Sequence, residues 1–170
     1  QAHAREWNLG DPLDPSVRVG ALVSPAHFDK VSGYLDAAQG GTVLMGGRTH
    51  GGTHVEPTVV ELPGNDHRLA REEIFGPVLS IIPFDSEEQA IEIANDTPYG
   101  LTNYVQSQDG ARRNRVARRL RSGMVEMNGQ SRGAGAAFGG VKMSGRAREG
   151  GIMGLEEFMD SKAISGWHRD

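Results

Sequence analysis

Eight consecutive residues, Arg71-Glu72-Glu73-Ile74-Phe75-Gly76-Pro77-Val78, set two acids, a flat aromatic and a Gly-Pro stop directly ahead of an apolar run. Few local structures satisfy that order besides a corner. Gly76 supplies the positive φ on which a helical turn ends, Pro77 keeps the helix from resuming, and residues 79–84 read as a buried strand. A corner at a strand end turns its side chains toward a crevice. There Glu73 offers two acceptor oxygens to a diol and Phe75 a flat face to a ring, which is how a nucleotide's sugar and base are held. The competing reading is a helix end whose glutamates are solvated and whose Phe is core.

On either side of this corner helices alternate with strands. Ser24 reads as an N-cap with Pro25 at the first helical position, and Phe28, Val31 and Leu35 form one apolar face of a helix that runs to about Ala38 and closes at Gly40-Gly41. A strand over 42–45, a turn region to Thr53 and an extended stretch over 54–62 around Pro57 follow. Ser86 then caps a helix to Ala94 with Ala90, Ile91 and Ala94 inward. Strands over 103–107 and 124–127 flank a helix that Asp109 caps and Gly123 stops. This alternation predicts an α/β fold with a largely parallel sheet flanked by helices. At 170 residues the chain is one domain or a piece of one.

Several function classes drop out on chemistry. The chain has no Cys, which excludes disulfides, thiolate metal sites and a cysteine nucleophile within it. A net charge of -4 gives no general attraction to nucleic acid or to an anionic membrane. The arginine-rich helix with Arg112, Arg113, Arg115, Arg118, Arg119 and Arg121 lacks interleaved aromatics and reads as a solvated or subunit-facing helix. His50 and His54 lie in a Gly-rich loop with no helical face to make them converge and no third ligand, so no metal site is expected. Gly129-Gln130-Ser131-Arg132-Gly133 matches a hydrolase nucleophile pattern, but the glycines and alanines after it are a poor helix; Asp160 and His168 have the chain order of a triad, with His168 at a frayed end. Gly133-x-Gly135 meets Phe138 where a dinucleotide fingerprint needs its third Gly. No run reaches the length of a membrane span, and residues 1–8 do not read as a signal sequence, so a cytoplasmic protein is expected.

Taken together, Gly10-Asp11-Pro12, Val55-Glu56-Pro57-Thr58, Glu72-Glu73-Ile74-Phe75-Gly76-Pro77-Val78, Asn95-Asp96-Thr97-Pro98-Tyr99-Gly100-Leu101, Phe138-Gly139-Gly140-Val141-Lys142-Met143-Ser144-Gly145 and Arg148-Glu149 resemble, in order and spacing, the C-terminal third of the NAD(P)-dependent aldehyde dehydrogenases. The resemblance implies that Glu73 hydrogen-bonds the nicotinamide-ribose hydroxyls and that Phe75 borders the nicotinamide. It implies that Asn128 lies in the loop at the substrate end, that Phe138 lines the aldehyde tunnel, and that Arg148 and Glu149 form a structural pair near a helix start. Ala21 and Ala137 stand where the family usually has Pro, and Val141 replaces an aromatic, which leaves two turns less rigid and one packing site smaller.

In that family a cysteine thiolate attacks the aldehyde, and a thiohemiacetal and then a thioester form before a glutamate base assists hydrolysis. Both groups lie upstream of the matched segment, so the resemblance implies walls of a site without its nucleophile. It implies an enzyme that oxidises an aldehyde to a carboxylic acid with NAD or NADP when joined to the rest, and no turnover by this chain alone. The alternative is a truncated, non-catalytic fragment acting only in subunit association. Residues 1–158 are then part of the catalytic domain. Residues 159–170 carry an oligomerisation strand and tail, the strand at Lys162-Ala163-Ile164-Ser165-Gly166-Trp167, pairing across subunits in a homo-oligomer, dimer or tetramer.

Overall fold

The computed structural model describes residues 6–169 of the chain, so the reading of residues 1–8 rests partly on residues outside that range. Two compact units divide at Ser86 and Glu87.

The first unit is built on α1 (Pro25–Asp36) and a three-stranded sheet of β1 (Thr42–Met45), β4 (Thr58–Glu61) and β5 (Val78–Ile81), in the order β1-β4-β5. Ser24 caps α1 as expected, its side chain accepting the His27 N–H at 3.2 Å, a contact worth about 1 kcal/mol. β4 runs parallel to β5 and antiparallel to β1, where the register slips between Val43 and Met45. A short hairpin pairs β2 (Thr49–His50), in the expected turn region, with β3 (His54–Val55), at the start of the expected extended stretch. Val31 and Tyr34 of α1 pack with Val55, Val60, Leu62, Leu69 and Ile74, so one sheet face is buried under the helix. The expectation of a buried strand over 79–84 needs correcting. β5 starts one residue earlier, ends at Ile81 and alternates, leaving Leu79 59% and Phe84 59% exposed. Its second face has no covering layer among the described residues, and strand side chains alternate between faces.

The second unit contains α3 (Glu87–Asn95), β6 (Thr102–Val105), α4 (Gly110–Arg119), β7 (Met124–Met127), a 3-10 turn at Lys142–Ser144 and α5 (Gly151–Glu156). β6 and β7 pair in parallel, Thr102 with Met124 through Val105 with Met127. The α/β expectation holds; its parallel pairing is realised as β4–β5 in one unit and β6–β7 in the other, with β1 added antiparallel. Asp109 caps α4 by accepting the Ala111 and Arg112 N–H groups. On the solvated surface of α4, Arg115 forks onto Glu87 of α3 at 2.7 Å through both carboxylate oxygens, and Arg119 grips Glu88. Asn95 ties the two helix ends, donating to the Arg119 carbonyl and accepting the Arg121 N–H, and Lys142 Nζ donates to the carbonyls of Asn95 and Thr97. Val141 stands against Gly100, whose absent Cβ would meet Val141 Cγ2 at 2.7 Å, and the Val141 N–H donates to the Gly100 carbonyl.

Residues 161–167 form no strand among the described residues: the stretch is exposed, and no ladder includes it. A strand exists only with a neighbour to bond, and none is present among the described residues. Among the described residues no helix is long and apolar enough to cross a membrane.

Candidate functional site at the Glu73–Phe75 corner and the 128–149 loop

The corner leaves α2 (Arg68–Arg71) through Glu72, whose extended backbone ends the helix. The positive φ lies at Phe75, 58°, and not at Gly76 as the sequence suggested. Gly76 is needed for a different reason, because a Cβ there would sit 2.8 Å from both methyls of Val31 in α1. Two bonds hold the turn: His27 Nε2 donates to the Phe75 carbonyl at 2.7 Å, and the Val78 N–H to the Gly76 carbonyl at 2.7 Å. Lys30 Nζ adds a bond to the Glu73 carbonyl.

Adjacent side chains along this segment have opposite fates. The Glu72 carboxylate accepts the Tyr34 hydroxyl at 2.7 Å and the Arg68 Nε at 3.0 Å, and Ile74 is buried in the core. Arg68 first, and Tyr34 second, hold the Glu72 carboxyl below its ordinary range, while Glu72 raises the Tyr34 hydroxyl. Glu73 is exposed and its carboxylate has no partner among the described residues. The Phe75 ring is 71% exposed. A depression of about 380 Å³ is lined by Glu72, Glu73, Phe75 and Gly76 together with Asn65 and Ser80. A carboxylate with free oxygens beside an open aromatic face, on a backbone that three bonds pin down, can accept from a diol and lie against a flat ring. The competing picture of Phe75 as core does not survive, because the core position is taken by Ile74.

In the second unit Asn128 has φ 51° and continues the β6–β7 ladder, its N–H donating to the Val105 carbonyl. Its carboxamide pairs with one residue twice, accepting the Ser107 N–H and donating to the Ser107 carbonyl, both at 3.0 Å. The side chain thus acts as one more rung of sheet and fixes where the loop leaves β7. Phe138 and Glu149 exchange two backbone hydrogen bonds, 2.7 and 2.8 Å, in an isolated bridge. Arg148 Nη1 donates to the carbonyls of Gly140, Arg146 and Ala147, which knots the 139–148 loop beneath that bridge. Gly139 lies so near the start of β7 that a Cβ on Gly123 would overlap its carbonyl. The residues after Ser131 form no helix, as the hydrolase reading would need.

Arg132 escaped the sequence reading as a site residue. Its guanidinium lies over the Phe138 ring at 5.3 Å and donates to the Ala136 carbonyl at 3.2 Å. The available signal was its spacing: six residues before Phe138, with only Gly and Ala between the two.

His50 and His54 face each other across the hairpin, but His50 Nε2 bonds Glu56 at 2.9 Å and His54 Nδ1 bonds the Gly51 carbonyl. His50 is the leading cause holding the Glu56 carboxyl below its ordinary range. His50, His54 and Glu56 line a cleft of about 740 Å³ together with Trp7 and Met45.

The aldehyde dehydrogenase family model matches residues 1–164. Among curated relatives, the chain is 46% identical over 167 residues to an aminoacetaldehyde dehydrogenase of Pseudomonas aeruginosa, covering 96% of this chain and 34% of that one. It is 44% identical over 160 residues to a 5-carboxymethyl-2-hydroxymuconate semialdehyde dehydrogenase of Escherichia coli, covering 87% and 34%. Among solved structures, an aldehyde dehydrogenase from Mycobacterium tuberculosis complexed with NAD+ superposes with a TM-score of 0.90 at 35% identity, over 99% of this chain and 37% of that one. The chain therefore spans about a third of the length of the relatives it matches.

Proposed function

The chain belongs to the aldehyde dehydrogenase family, and we propose that it forms part of an enzyme that oxidises an aldehyde to a carboxylic acid with NAD or NADP. In this reading the aldehyde is carried as a thiohemiacetal and then a thioester on a cysteine outside these 170 residues, which hold none. When bound, the nicotinamide cofactor supplies the oxidising power. Glu73 accepts the hydroxyls of its ribose and Phe75 borders its ring. The observation that carries this is the division of labour at the corner: Glu72 is bound to Tyr34 and Arg68, while Glu73 and Phe75 are left open next to it. Asn128 sets the exit of the loop at the substrate end, Phe138 lines the aldehyde path, and Arg148 and Glu149 support it. The enzyme is cytoplasmic and works as a homo-oligomer, a dimer or tetramer, with residues 161–167 adding a strand to a neighbouring subunit.

Two measurements test this. Replacing Glu73 by Gln in the complete enzyme is expected to weaken cofactor binding by roughly 1 to 3 kcal/mol, the range for hydrogen bonds to a charged acceptor. Unchanged cofactor affinity and rate would return Glu73 to a solvated helix end. The 170-residue chain assayed alone with several aldehydes is expected to reduce no NAD, and turnover by a preparation of verified mass would contradict the reading. The exposed apolar row Ile152, Met153, Leu155, Phe158, Ile164 and Trp167 favours a second reading, a piece that serves subunit association only. A complex of this chain with the remaining polypeptide that oxidises no aldehyde would favour that one.

A further inference from the structure

Resting on the reading that residues 128–138 border the aldehyde's path, we propose that Arg132 is a specificity-determining residue, selecting aldehydes that carry a carboxylate at the end remote from the carbonyl. The guanidinium is held in place from two sides, by the face of Phe138 and by the Ala136 carbonyl. Neither contact neutralises it. Elsewhere in the chain Arg48, Arg68, Arg112, Arg115 and Arg119 each meet a carboxylate, whereas Arg132 has none among the described residues. One of its five N–H donors is used, which leaves a fork of the width that a carboxylate fits.

The surroundings favour the same ligand. Residues 127–148 include Arg132, Lys142, Arg146 and Arg148 and not one Asp or Glu. The loop's charge is therefore positive, with Lys142 and Arg148 anchored by backbone carbonyls. The neighbours of Arg132 are small, and a Cβ on Gly129, Gly133 or Gly135 would meet nothing within 4 Å, so the loop around it is open. A guanidinium already stacked on the aromatic wall loses little further freedom on binding, which makes it more selective than a mobile lysine.

The test uses the complete enzyme and three aldehydes of equal chain length ending in a carboxylate, a neutral amide and an ammonium group. The carboxylate form is expected to show kcat/KM about tenfold or more above the other two. Arg132→Gln is expected to raise KM for it about 10- to 100-fold, the range of a charge-assisted bond, with kcat within about twofold and the amide form unaffected. Arg132→Lys should recover part of the loss, and calorimetry with the corresponding dicarboxylate should show the same ranking without turnover. If Arg132→Gln impairs the amide and carboxylate forms alike, the residue only supports Phe138 and the proposal falls. If the wild type oxidises all three equally, the proposal falls while aldehyde oxidation stands. If none is oxidised and the dicarboxylate does not bind, both readings fail together.

Discussion

Glu72 and Glu73 are chemically identical neighbours with opposite assignments, and exchanging each for Gln separates them. Glu72 holds Tyr34 and Arg68 together, so Glu72→Gln is expected to lower the melting temperature of the enzyme, with cofactor affinity retained once folded; Glu73→Gln is expected to do the reverse. The pH dependence has a definite sign. Because the folded-state pKa of Glu72 is depressed, its contribution is present above the ordinary carboxylate range and is lost as pH falls through the folded value. The melting-temperature gap between wild type and Glu72→Gln should therefore close in acid. The corner at residues 71–78 was legible from residue type and order. Which of the two acids is locked was not, because the lock comes from Tyr34, 38 residues away. The positive φ was misplaced by one residue for a similar reason: α1 occupies the space where a Gly76 Cβ would go, and Gly is then needed for room, while Phe75 takes the turn.

The helix pair α3 and α4 shows what periodicity does and does not reveal. Caps at Ser24 and Asp109 and the strands over 42–45 and 124–127 stand where local signals put them. Of the six arginines of the α4 region, Arg112, Arg115 and Arg119 find their acids on another helix, out of reach of local pattern. Yet Arg112, Arg115 and Arg119 recur at three- and four-residue spacing, and such a stripe meets a Glu87-Glu88 pair readily. These bridges are exposed, so Arg115→Gln is expected to cost little, and the loss should vanish when melting is repeated in high salt. The depressed Glu87 and Glu88 carboxyls, held chiefly by Arg115 and Arg119, fade as anchors as pH falls below the carboxylate range. Gly123→Ala is a harsher change, because the methyl meets a backbone carbonyl of Gly139 that cannot rotate away. A loss of about 1–3 kcal/mol by denaturant unfolding is expected, the usual range for overpacking, and a silent substitution would mean that the 139–140 loop shifts freely.

At the scale of the whole chain, apolar side chains are unevenly housed. The first unit buries a connected set around Val31, Val60 and Leu62, whereas the second has Ile91 and Val105 as its buried large apolar residues. Phe158 is 90% exposed, Ile164 68% and Trp167 69%. Polypeptide amounting to two-thirds of the relatives' length has no counterpart here. The alternation of elements disclosed the α/β class but not this imbalance, since a sequence does not say which apolar faces are covered by other chain. Cutting after Phe158 is expected to weaken self-association, with the helical circular dichroism nearly intact. Light scattering over a range of concentrations decides it, and an oligomer indifferent to the cut would remove that role from residues 161–167.

The left-handed backbone of Phe75 also bears on which sequences this position can explore. Branched side chains such as Ile, Val or Thr clash in that region of φ/ψ space, and Gly enters it freely but brings no ring. An exposed aromatic in such a conformation is costly to keep and gains little from packing, so stability and activity pull its substitutions in opposite directions. In a saturation library at position 75, Gly and Asn are expected to rank among the best-folded variants and among the poorest catalysts. Variants sorted by expression and by turnover would then come out in nearly inverted order.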